Sequence, residues 1–231
     1  MMNYDVLGVM KLEEMLHELH VSPYPPNEEI VNAITHGLGA ILAGVGLYFL
    51  LIEANLTEDP WKLWSSVTFG LCMITCYLFS TLYHAATNLE FKHQMRIADH
   101  IGIYLLIAGS YTPFALVSLR GWIGVTYFIL IWGCAVVGIT LRIVNRGVPN
   151  YISVAPYLIM GWLAISGIKP LFDSMGWDGL ALVLLGGVFY SIGVGFYSWK
   201  RIPFNHAIWH LFVLAGNISH YFAIMFEVIP H

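Results

Sequence analysis

Residues 63–87 read LWSSVTFGLCMITCYLFSTLYHAAT, and residues 204–227 read FNHAIWHLFVLAGNISHYFAIMFE. Neither contains Asp, Lys or Arg, and the only Glu is Glu227 at the end of the second. At about 1.5 Å per residue, either run is long enough as a helix to cross the ~30 Å hydrocarbon core of a bilayer. Both are solidly apolar and do not alternate, which excludes the strands of an outer-membrane barrel. Each also carries imidazoles near one end: His84 in the first, His206 and His210 in the second. Ionisable groups inside an apolar run are costly, so they mark a site.

The rest of the chain follows the same pattern. Of its 231 residues 58% are apolar and only 10% charged, with a mean hydropathy of +0.71. That balance excludes a soluble enzyme, a nucleic-acid binder and a disordered scaffold. Seven runs stand between charged or Pro/Gly breaks, at 30–52, 63–87, 97–119, 122–141, 151–170, 179–198 and 204–227. The expected fold is all-α: a polytopic seven-helix bundle in the cell membrane, with consecutive helices antiparallel across short loops. Two parts are expected, an N-terminal segment 1–29 and a transmembrane domain 30–231. Within the first, Val6, Val9, Met10, Leu12, Met15, Leu16 and Leu19 lie at helical spacing and predict a short acidic amphipathic helix ended by Pro23. No secretory signal is read there. Cys72, Cys76 and Cys134 lie in apolar runs and read as small packing residues, not a disulfide framework.

Basic residues set the orientation. With the N-terminus inside, the inner segments hold Lys11, Lys92, Arg96, Arg142, Arg146, Lys200 and Arg201, and the outer ones Lys62, Arg120 and Lys169. The expected chain runs N-in, C-out. That topology places Ser80 and His84 at the inner end of the second span, and His36, Asp99, His206 and His210 near the inner ends of the first, third and seventh. His206 and His210 are one turn apart on one face. With His84 they make a three-imidazole set with one open position, the catalytic kind of zinc site. Ser80 lies one turn before His84, and Asp99 is the candidate base for a zinc-activated water. Glu29, Asn32 and His36 form an inward stripe that suits a supporting shell or an inter-helix lock. His220, fourteen residues past His206, is about 21 Å further along the helix and reads as a packing residue.

The stripe in EEIVNAITHGLGA, the STLYH at 80–84, the ADH at 98–100 and the NHAIWH at 205–210 resemble the hemolysin III family. That family is the bacterial branch of the progestin and adipoQ receptors and is similar to the alkaline ceramidases. The resemblance covers the chain from about Glu28 to its end. It implies seven spans, zinc on His84, His206 and His210 with Ser80 and Asp99 beside it, and a lipid-accessible internal cavity.

Three functions compete at this stage. One is a zinc-dependent, ceramidase-like hydrolase of lipid amide or ester bonds acting in membrane-lipid homeostasis, with Asp99 and Ser80 catalytic. Another is a non-enzymatic sensor or transporter with structural zinc. The third, a cytolytic pore, fits poorly, because the polar groups gather at one depth and do not line a path. The expected partner is a membrane lipid or fatty acid in the cavity, with no nucleic acid; self-association stays open.

Overall fold

The computed structural model describes residues 24–144 and 150–230. The expected amphipathic helix at 5–20 and the C-terminal His231 lie outside these residues. Among the described residues all regular structure is helical. Helix α1 spans Pro26–Leu56, α2 Pro60–Ala85, and α3 Leu89–Pro113, which continues as a π turn, Phe114–Leu119. Helix α4 spans Gly121–Val144. Helix α5, Asn150–Trp162, runs through a 3-10 turn at Leu163–Gly167 into α6, Ile168–Ser198. Helix α7 spans Asn205–Ala223 and ends in a π turn, Ile224–Val228.

Local chemistry explains the boundaries. Asp59 accepts a hydrogen bond from the Trp61 N–H at 2.9 Å, and Pro60 occupies the first helical position of α2. Asn88 accepts likewise from Phe91 N–H at 2.9 Å. That cap starts α3 at Leu89, well before the expected residue 97, so the charged stretch around Lys92 and Arg96 is helix and not loop. The expected break at 169–178 is also mostly helical. Pro170 sits in the first turn of α6, where its missing N–H costs nothing, and Lys169 pairs with Asp173 one turn on at 2.7 Å. The stretch is interrupted at Gly176 alone, whose φ of 66° and ψ of −165° suit a residue without a Cβ.

Among the described residues six helices are long and apolar enough to cross a membrane, and one of them is the 44-residue stretch Ala155–Ser198 that contains Gly176. It takes the place of two of the seven expected spans. Each helix packs on its neighbours in the chain, and α1 closes the ring against α7. Burial runs opposite to that of a soluble protein. On α1 the large apolar residues Ile34, Ile41, Val45 and Tyr48 face outward, while Asn32, His36, Gly39 and Ala43 face in. An outward apolar surface of this extent suits a hydrocarbon solvent, not water.

Small residues allow the close approach of α2 and α3. A Cβ on Gly102 would lie 3.0 Å from the Cys76 Cα, and one on Gly109 would lie 2.5 Å from the Cys72 Cβ. The two cysteines therefore pack against the α3 glycines, as expected for small residues at a helix interface. His220 bonds to the Val183 carbonyl of α6 through Nε2 at 3.2 Å, an inter-helix contact that matches its packing role.

Candidate metal centre

Four helices bring their polar groups to one end of the ring. His84 sits in the last turn of α2, and His206 and His210 occupy the first two turns of α7. All three are buried, and one nitrogen from each lies within 4.8 Å of the others. The Nε2 atoms of His84 and His206 are 3.1 Å apart. Zinc–nitrogen bonds of 2.0–2.1 Å in a tetrahedron separate ligand nitrogens by about 3.3 Å, so the pair is already at ligand spacing.

The remaining hydrogen bonds fix which nitrogen faces the centre. Glu29 on α1 places Oε2 at 2.6 Å from His84 Nδ1. A carboxylate accepts, so His84 carries its proton on Nδ1 and its lone pair on Nε2. The other Glu29 oxygen is 2.8 Å from Lys92 Nζ on α3, and that ammonium also donates to the Tyr83 carbonyl at 3.1 Å. Thr35 Oγ1 lies 3.0 Å from His210 Nδ1. The Thr35 hydroxyl has one proton, which goes to the α1 carbonyls of Val31 at 3.0 Å and Asn32 at 2.9 Å. It therefore accepts from His210 Nδ1–H and leaves Nε2 free as well. His84 and His210 thus turn acceptor nitrogens toward His206 Nε2, and three imidazole nitrogens so grouped could hold a metal ion of the zinc type.

His36 stacks on His210 with ring centroids 3.5 Å apart and an interplanar angle of 13°. Asn32 is fully buried one turn earlier, and its amide makes no hydrogen bond among the described residues. Asp99 lies beside Ser80 and within electrostatic reach of His84, Arg96 and Arg142. It stands outside the three-histidine group found among the described residues. Thus the structure brings His84, His206 and His210 together, sets Glu29 on one of them and His36 on another, and leaves Asp99 and Ser80 alongside.

Several neighbours escape a reading of the sequence. Tyr24, just before α1, stacks on His206 with centroids 4.9 Å apart. Burial pushes its hydroxyl well above the usual phenol range, with the nearby Tyr83 hydroxyl adding to the effect. Lys92 looks like a topology-setting loop charge. The missed signal is its spacing from Arg96 and Asp99, at i, i+4 and i+7, which places all three on one helical face. A cavity runs from this end between the helices. His36, Asp99, His206 and His210 line its polar end, and Phe114, Leu171, Val183 and Val213 line its apolar depth.

Comparison with known proteins agrees with the sequence motifs. The family described as "Haemolysin-III related" matches residues 24–221. The chain belongs to that family. The "Hemolysin-3 homolog" of Bacillus subtilis (strain 168) is 46% identical over 201 residues, covering 86% of this chain and 93% of the relative. The human "Monocyte to macrophage differentiation factor" is 29% identical over 203 residues, 85% of this chain and 83% of its own length. "Heptahelical transmembrane protein 1" of Arabidopsis thaliana is 25% identical over 263 aligned positions, 96% of this chain and 76% of that one. Family membership and the apolar helices make this haemolysin-III-related chain a multi-pass protein of the bacterial cell membrane.

Proposed function

We propose that this haemolysin-III-related protein is a zinc-dependent hydrolase of lipid amide or ester bonds, with its site at the cytoplasmic end of seven membrane crossings. The observation that carries the reading is the ligand set: three buried imidazoles, with a carboxylate and a hydroxyl beside them but not among them. A structural zinc in a sensor or transporter ordinarily has four protein ligands, whereas a catalytic one keeps a position open. When bound, zinc supplies Lewis acidity, polarising a carbonyl oxygen and making a nearby water acidic.

The chain's own groups do the rest. Asp99 takes a proton from the attacking water and later returns it to the leaving amine or alkoxide. Ser80 Oγ, buried beside the Asp99 carboxylate, donates to the oxygen that gains charge as the carbonyl is attacked. The cavity holds the acyl chain of a membrane lipid. From the level of His206 to that of His220 it extends over fourteen residues of α7, roughly 21 Å, which exceeds the ~15 Å of one leaflet.

Helix length supports seven crossings. The stretch Ala155–Ser198 has 44 residues, about 66 Å at 1.5 Å per residue, twice what one crossing of a ~30 Å core needs. Gly176 divides it into two arms, each of crossing length. The Arabidopsis relative is named as a heptahelical protein. The excess of Lys and Arg in the segments at the metal end supports an inside placement.

Asp99→Asn tests the chemistry, because it keeps shape and removes proton acceptance. Fatty-acid release from long-chain amides and esters is followed by mass spectrometry, with zinc content measured on the same samples. The expected result is a fall of at least about 100-fold in turnover, the lower end of what a general base contributes, with zinc content unchanged. Zinc-independent release, or none from any lipid class by the wild type, would overturn the hydrolase.

A further inference from the structure

Helix α1 gives no ligand to the metal centre, yet it touches every element that does. Glu29 Oε2 takes the His84 Nδ1 proton at 2.6 Å, and Thr35 Oγ1 faces His210 Nδ1 at 3.0 Å. Glu28 Oε1 accepts from the N–H of Phe204 at 3.2 Å, the residue that caps α7 immediately before Asn205 and His206. These contacts span 55, 175 and 176 residues of sequence, so none is a by-product of local structure.

We infer that Glu29 and Thr35 are positioning residues that hold His84 and His210 in the Nδ1–H tautomer, so that both present Nε2 to a single metal ion. The inference rests on the metal reading given above. A neutral imidazole can carry its proton on either nitrogen, and a proton on Nε2 blocks ligation. A partner that accepts only from Nδ1 removes that alternative and fixes the ring plane. Glu29 meets this need as a carboxylate, and Lys92 holds its second oxygen at 2.8 Å so that the group cannot turn away. Thr35 meets it differently: its hydroxyl donates to the α1 carbonyls of Val31 and Asn32 and turns a lone pair to His210, with the Asn32 carbonyl a further acceptor beside that ring. His206 has no such partner, since its Nδ1 is buried without a hydrogen bond. Two of the three ligands are thus pre-set, and the third is placed by the start of α7.

The test uses the full chain in detergent, with zinc dissociation constants from chelator competition and the visible absorption of the cobalt-loaded protein. Thr35→Val keeps shape and removes the acceptor, and is expected to weaken zinc about tenfold. Glu29→Leu is expected to weaken it up to about 100-fold, the range for removing such partners. Thr35→Ser, which restores the hydroxyl, should return to within about threefold of wild type. Melting of the metal-free proteins separates positioning from support: a positioning residue lowers the gain on loading, whereas a merely structural one lowers the metal-free melting point. Should Glu29→Leu not fold, Thr35→Val decides. Wild-type zinc affinity and cobalt spectrum in Thr35→Val would overturn the inference while leaving the metal centre standing. A wild-type chain that takes up neither metal would overturn both.

Discussion

Helix α1 carries two kinds of inward polar residue within three turns, and they differ in their partners. Glu29 and Thr35 each reach a histidine on another helix at hydrogen-bond distance. Asn32 and His36, between and beside them, are buried and make no side-chain hydrogen bond to another helix among the described residues. Leaving a buried polar group unpaired costs about 1–3 kcal/mol, a cost that the contacts of Glu29 and Thr35 avoid. The difference teaches that polarity inside this bundle has two sources. Glu29 and Thr35 contact histidines of the candidate centre through hydrogen bonds, whereas His36 lines the cavity and lies flat against His210.

The strongest way to break the comparison is to remove what the first pair organises. His206→Ala/His210→Ala should reduce zinc from about one ion per chain to background, measured by elemental analysis of protein purified without a metal-affinity tag. Stoichiometric zinc in that double variant would remove the reason given for Glu29 and Thr35. A smaller effect sharpens the other half. Asn32→Leu replaces an unpartnered amide by an apolar group of similar size, so the metal-free protein should gain about 1 kcal/mol on thermal melting. A loss of more than about 1 kcal/mol would mean that Asn32 has a partner that stabilises it.

The smallest effect comes from the opposite end of the bundle, where a polar contact serves no metal. Asp59 pairs with Arg120 and caps α2 through Trp61 N–H. Partial burial pulls its carboxyl up, but the Trp61 amide and the Arg120 guanidinium outweigh it and hold the group below its usual value. A lowered carboxyl contributes stability above its unfolded value near 4, and that contribution is lost as pH falls through the folded value. Asp59→Asn should therefore cost under about 1 kcal/mol at neutral pH and nothing below the folded value. Melting curves at pH 7 and at pH 3 or lower check this; an equal loss at both would show that the carboxylate charge is not what stabilises, since asparagine keeps the cap.

Much of this was legible in the sequence because the bilayer enforces it. Long apolar runs had to be helices, and His84, His206 and His210 could be placed at one end by counting residues from the breaks. The i, i+4 spacing of His206 and His210 put them on one face, where the structure has them. What the sequence hid were contacts set by tertiary closure. Thr35 has no pattern of its own, since its partner is 175 residues away. Lys92 was assigned to a loop because charge was read as a break, although the Asn88 cap signals a helix that starts earlier. The merging of the fifth and sixth runs was likewise hidden, because Lys169 and Asp173 look like a loop and form a pair along a helix.

The closure of α1 against α7 has a consequence for biogenesis. His84 emerges from the ribosome with the second helix, but His206 and His210 come with the last, 122 residues after it. Glu29 and Thr35 are made first of all, and Thr35 waits for its histidine until nearly the whole chain is in the membrane. On the proposed metal reading, a truncated or half-inserted product has no place to hold an ion, and loading would occur only once the last helix is in place. Metal content is in that sense a mark of completed synthesis, readable on each chain by whatever inspects it afterwards.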